Sequence, residues 1–278
     1  MDLVGMAKAC RSLKHLEELD IDNLTGTVLG EFAGIDFDTH DMSADPFAEP
    51  HHTLAGRFTS LTLHDHSTNT DLYEWLPRFH RLRHLEIDND VSSIPSLLLF
   101  LDLHGSNLQY LRLSLQTSED INRVIPSINC CEQLQYLRLH AWISNENQSG
   151  APSRFNPQKL SKLSELHLAL LKSDHNPLLY RLASSCPDLS VLYLYNCESA
   201  SDVNIDSSVA LLLQQCTRLR HVRMIKVGAI TSLAFEGLPI NGQTSLQRLE
   251  ITIPDNHFEW GFQLLGSRCP NLRSLTIR

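Results

Sequence analysis

Long apolar runs are missing from this sequence. The longest apolar-rich stretch runs only from Ser96 to Leu103, far below the ~20 residues a membrane-spanning helix needs, so no membrane partner is expected. Basic residues are scarce as well: 23 Lys and Arg stand against 32 Asp and Glu, a formal net charge of −9. A general nucleic-acid binder needs a positive surface for phosphate contacts, and this balance argues against one. The opening residues MDLVGMAKAC carry no apolar core and no leading basic cluster, so they do not read as a secretion signal. Cysteine is present seven times, an odd count with no CxxC pair. That usage fits reduced thiols rather than a disulfide framework, and the expected location is cytoplasmic or nuclear. Phosphate-binding loops, GxGxxG, HExxH and GxSxG are all absent. The expectation is therefore a chain that is not an enzyme, with no cofactor and no metal.

What is present is a repeat. The pattern L-x-x-L-x-L, with other large apolar residues allowed, occurs ten times: at Leu16, Phe58, Leu82, Leu108, Leu134, Leu163, Leu189, Leu219, Leu246 and Leu272. From Phe58 onward the starts advance by 24, 26, 26, 29, 26, 30, 27 and 26 residues. Within each copy the last three residues alternate apolar, polar, apolar, as a half-buried strand requires. Between copies the chain turns helical and breaks. Asn176-Pro177 leads into LLYRLASSC, Ser207-Ser208 into VALLLQQC, and a third helix is expected from Glu259 to Cys269. One such turn cannot bury its own apolar side chains, but a stack of turns forms a continuous core.

The period resembles that of leucine-rich repeats. The resemblance implies an α/β solenoid, a horseshoe with a parallel concave sheet of about ten short strands and helices on the convex side. A single domain over residues 1–278 is expected, with regular repeats from about 58 to 278 and an irregular insertion or degenerate repeat over 24–57. Solenoid ends need polar caps, and the last motif reaches Arg278 with no helix after it, so that end is expected to be uncapped.

Cysteine placement narrows the likeness. Cys131, Cys186, Cys216 and Cys269 each stand three residues before the first apolar residue of a motif, and Cys197 stands three residues after Leu194. A small, burial-prone side chain suits the corner where helix passes into strand. The phrases SSCPDLSVLYLYNC, QQCTRLRHVRM and SRCPNLRSLTIR resemble the cysteine-containing repeats of F-box/LRR proteins, which share the ribonuclease-inhibitor-like horseshoe. The similarity covers about Phe58 to Arg278 and is best from Cys131 onward. It implies a protein-interaction scaffold, the substrate-recognition part of an F-box-type ubiquitin-ligase adaptor, with ubiquitin-ligase components among its partners. The sequence departs from that pattern: no F-box-like segment precedes Leu16, and places equivalent to Cys197 hold His66, Asp90, Gln116, Trp142 and Val227. A stand-alone ribonuclease-inhibitor-like regulatory module without a ligase link is the alternative.

In such a horseshoe the polar residue between the second and third apolar positions faces the concave side. Here that column reads Asp20, Thr62, Glu86, Arg112, Arg138, His167, Tyr193, Arg223, Glu250, Thr276. Its first members are acidic or neutral and its central ones basic or aromatic. Tyr110, Tyr136, His140, Tyr195, Arg220 and His221 flank it. Tyr and Arg carry much of the energy of protein interfaces, and Arg forks onto carboxylates and phosphates. The expected partner-binding face comprises Tyr110, Arg112, Tyr136, Arg138, His140, His167, Tyr193, Tyr195 and Arg223. Its expected ligand is a protein partner with an acidic or phosphorylated segment. A third function class would use metal at the His- and Asp-rich interval, Asp36 to His52 with His64 and His66, but its spacing matches no ligand motif. Residues 144–157, rich in Asn, Ser, Gly and Pro, read as a loop between repeats.

Overall fold

A computed structural model of the chain describes residues 17–22, 54–64, 76–88, 94–143, 156–170, 176–196, 204–240, 244–252 and 259–278. The interval from Asp36 to His52, together with His66 and Cys197, lies outside them, as does nearly all of the 144–157 loop.

Each repeat contributes one strand: β1 (Glu18–Asp22), β2 (Ser60–His64), β3 (His84–Ile87), β4 (Tyr110–Thr117), β5 (Tyr136–Ile143), β6 (Glu165–Leu170), β7 (Val191–Asn196), β8 (His221–Ile225), β9 (Arg248–Ile251) and β10 (Ser274–Ile277). They form one ten-stranded sheet in sequence order, every neighbouring pair parallel. The register matches the repeat: Leu85 pairs Leu111, Leu111 pairs Leu137, and Leu137 pairs Leu166. Consecutive parallel strands need a crossover on one face. Here it is helical: α1 (Ile94–His104), α2 (Ser118–Ile128), α3 (Asn176–Ser185), α4 (Asp206–Gln215) and α5 (Glu259–Arg268), with short 3-10 turns in other repeats. The helices expected after Asn176 and Ser207 and at Glu259 are all present.

The core lies between sheet and helices. The inward residues of β2 to β9, such as Leu61, Leu111, Leu137, Leu166 and Leu249, are buried, as are the leading residues Phe58, Leu82, Leu108, Leu134, Leu163, Leu189, Leu219 and Leu246. Burying one such side chain fully contributes about 1.5–3 kcal/mol, and the stack repeats the gain in every turn. The exception is β10, where Leu275 and Ile277 remain 36% exposed.

The corners before the strands repeat one device. The amide of the first apolar residue donates to the carbonyl three residues earlier, as in Leu134 to Cys131, Leu189 to Cys186, Leu219 to Cys216 and Leu272 to Cys269, at 3.0–3.1 Å. These four cysteines are buried free thiols. Two reach the preceding corner: Cys186 Sγ lies 3.6 Å from the Leu160 carbonyl, and Cys216 Sγ lies 3.4 Å from the Cys186 carbonyl. Where Gly105 takes the same place, a Cβ would stand 2.8 Å from Cys131 Sγ, so the small residue makes room for its neighbour. Among the described residues no helix is long and apolar enough to cross a membrane.

Candidate protein-binding surface

Strand alternation turns every second side chain outward, and parallel register stacks those side chains in rows. The row read from the sequence is continuous: Asp20, Thr62, Glu86, Arg112, Arg138, His167, Tyr193, Arg223, Glu250 and Thr276 are successive partners across the ten strands. The outward row two residues earlier contains His84, Tyr110 and Tyr136, then Glu165, Val191, His221 and Arg248.

An aromatic ladder runs through both rows. His84 stacks on Tyr110 with ring centroids 3.9 Å apart, and Tyr110 on Tyr136 at 4.1 Å, the planes within 6° of parallel. At β6 the earlier row carries Glu165, so the ladder shifts to the next: Tyr136 meets His167 at 5.2 Å, and His167 meets Tyr193 edge-on at 4.4 Å. Ring pairs of this kind add about 0.5–1.5 kcal/mol each beyond their buried area. Four of the expected binding residues, Tyr110, Tyr136, His167 and Tyr193, thus form one contiguous object. Tyr195 stands outside it, exposed on β7 beside Ala169 and Ile225.

Charges divide the face into three parts. At the first end Glu17, Glu18 and Asp20 are exposed. In the middle, Arg112 is clamped: Nη1 lies 2.6 Å from Glu86 Oε1 and Nη2 lies 2.9 Å from Asp88 Oδ2. Ser114 Oγ donates to the other oxygen of Asp88 at 3.0 Å. Arg138, one strand on, makes no ion pair among the described residues, and its charge acts on its neighbours. Burial holds the His167 imidazole down to a pKa of about 4, with Arg138 adding to the effect. The His140 imidazole is held below its ordinary value, first by burial and then by Arg138. His84 is lowered by burial despite nearby Glu86 and Glu18.

The last part is basic. Around β8 to β10 an open cavity of about 440 Å³ is lined by Tyr193, His221, Arg223, Gln247, Arg248 and Arg273, among others. Its one lining carboxylate, Glu250, is held between Arg223 Nε at 3.0 Å and Arg278 Nη2 at 2.8 Å. Arg220 lines an adjoining hollow in which Asp188 is engaged by Arg218 at 2.7 Å. Arg248 and Arg273 were not among the expected site residues. They stand two and three residues ahead of the central polar row, and only reading several rows together over consecutive repeats would reveal the cluster.

No family model and no curated protein matches the chain. Among solved structures it is similar to TLR13 in a complex with ssRNA13, at 16% identity and a TM-score of 0.50, over 96% of this chain and 36% of that one. The chain thus spans about a third of that protein's length. The leucine-rich-repeat-containing protein LegL7 of Legionella pneumophila aligns over 100% of this chain and 87% of its own, at 13% identity and a TM-score of 0.37. A Bacteroides fragilis protein aligns over 93% and 73%, at 14% identity and a TM-score of 0.38. Repeat register and structural likeness agree on the class: this is a leucine-rich-repeat fold. Among the described residues no cluster of three or more His, Cys, Asp or Glu side chains could hold a metal ion.

Proposed function

We propose that the chain is a non-catalytic protein-binding scaffold that receives an extended segment of its partner along the concave sheet. The observation that carries this reading is the ladder from His84 to Tyr193 running into the arginine-lined cavity. A rigid aromatic strip beside forked cations supplies contact area at small entropic cost, and an acidic or phosphorylated segment satisfies the cations. Both faces of the Tyr110 ring are covered, by His84 and by Tyr136. The strip therefore offers ring edges, which suit peptide groups and side chains better than the stacked bases of a single strand of RNA.

A photo-crosslinking side chain at Tyr195, on the concave side, tests this. It should yield a discrete protein adduct that disappears when Tyr136 and His167 are replaced by Ala. The same side chain at exposed Tyr180, on α3, should not. Equal yield from both sides would end the reading.

Within it, the buried thiol corners support the finer proposal of the substrate-recognition part of an F-box-type ubiquitin-ligase adaptor. Co-purification of the full-length protein with the adaptor that F-boxes bind tests this. Its failure would favour the stand-alone regulatory module.

A further inference from the structure

The arginine cluster at β8–β10 is out of keeping with the chain as a whole, which has a net charge of −9. Arg220, Arg248 and Arg273 are exposed, and none has an ion-pair partner among the described residues. The nearby acids are occupied: Glu250 by Arg223 and Arg278, Asp188 by Arg218. Arg248, on β9, is one strand from Arg220, which leads into β8, and one strand from Arg273, which leads into β10. Backbone bonds fix this order: the Gln247 and Arg248 amides both reach the Arg220 carbonyl at 2.7 and 2.9 Å, and the Arg273 amide reaches the Gln247 carbonyl at 2.8 Å. At ~4.8 Å per strand the three stems span only about 10 Å. Arg248 and Arg273 line one cavity together with His221, Gln247 and Ser274, and Arg220 lines a second hollow one strand away.

We propose that this basin binds a phosphorylated side chain in the partner segment, an inference that rests on the concave-face reading above. Oxygen count favours phosphate over carboxylate. A carboxylate has two oxygens and is satisfied by one fork, whereas a phosphate monoester has three terminal oxygens and ≈ −1.5 to −2 charges. Three guanidiniums with no ion pair among the described residues, within two strand spacings, match the second inventory. The source is a protein segment rather than a free anion because the cavity opens onto the ladder: Tyr193 lines the cavity and also packs edge-on against His167. A chain lying on the ladder is led into the basin.

The test uses the whole chain and immobilised short peptides of randomised sequence in matched sets. One set has a fixed central phosphoserine or phosphothreonine, one the unmodified residue, and one a Glu-Glu pair. The phosphorylated set should bind at least about tenfold more tightly than either counterpart. The double substitution R248Q/R273Q should abolish the difference while melting temperature and circular dichroism stay unchanged. Arg83→Gln, in the same row as Arg220 and Arg273 but on the approach to β3, should retain it. Equal binding to the Glu-Glu set would overturn the phosphate proposal and leave the acidic-segment reading standing. Absence of binding to every set would also overturn it, and crosslinking at Tyr195 would then decide the wider reading separately. Inorganic phosphate binding as tightly as the phosphopeptides would overturn it in favour of a small anion.

Discussion

Arg112 Nη1 lies 2.6 Å from Glu86 Oε1, one strand away in the same outward row. The Arg112 side chain is only 24% exposed and Glu86 only 12%, and the other head nitrogen is taken up by Asp88. An arginine that reads from the sequence as a docking cation is thus largely consumed by its own sheet.

Arg112→Ala should therefore act on folding first. It leaves two carboxylates facing each other with no cation between them, and removing one member of a part-buried pair costs roughly 1–3 kcal/mol. Denaturant unfolding should show the loss, while affinity for an acidic partner changes little. Arg138→Glu, at a residue with no ion pair among the described residues, should do the reverse. If Arg112→Ala left stability unchanged, the clamp would have no structural role.

His167 sets a pH dependence. Burial, with Arg138 close by, depresses its pKa to about 4, against ~6.5 in an unfolded chain. Glu165 Oε2, 3.8 Å from Nε2, is too far away to accept a hydrogen bond. On acidification the unfolded chain therefore takes up the proton first. Stability should be full above pH ~6.5, fall between ~6.5 and ~4, and be fully reduced below that, by an amount on the order of 1–3 kcal/mol. Urea unfolding across this range should show the slope. His167→Gln should flatten it, and an unchanged slope would assign the effect to other groups.

The difference between Arg112 and His167 on one side and the leucines on the other shows what a sequence of this kind discloses. Leu85, Leu111 and Leu137 announce themselves because one repeating requirement, burial of every second strand residue, recurs in each turn. The outward row was equally legible, since the same alternation sets it and register only has to hold. The state of each charge is not a repeating property. Glu86 neutralises Arg112 because they are neighbours in the row and Asp88 joins from the residue just past β3, a relation visible only once adjacent repeats are aligned side by side. The ladder's change of row at Glu165 and the clustering of Arg220, Arg248 and Arg273 on adjacent strands are likewise breaks in the repeat, so periodicity could not point to them.

Adjacent cysteines should differ sharply in reactivity. Cys130 is exposed and Cys131 buried. Burial pushes the thiols of Cys131, Cys186 and Cys216 up to about 12, so almost no thiolate forms there at pH ~8. Brief treatment of the native protein with iodoacetamide, followed by peptide mass spectrometry, should label Cys130 and leave those three unmodified until denaturant is added. Rapid native labelling of Cys186 or Cys216 would mean that the corners open readily, contrary to tight stacking of the repeats.

Two glycines should respond to the same substitution with opposite signs. A Cβ on Gly237 would stand 2.1 Å from the Ala210 carbonyl oxygen and 2.7 Å from its Cα. Both atoms belong to the backbone of α4, which cannot swing aside as a side chain can. Gly237→Ala must push that helix away from the turn that follows Phe235 and disturb the packing of Ala234 and Phe235, both fully buried. Overpacking of this kind costs roughly 1–3 kcal/mol, occasionally more. On exposed Gly266 in α5 a Cβ would meet nothing within 4 Å, so Gly266→Ala removes backbone freedom from the unfolded chain and should add up to about 1 kcal/mol. Thermal melts should therefore shift down for the first variant and up for the second. A stable Gly237→Ala protein with an unshifted melting point would show that α4 and the turn after it do not pack this closely.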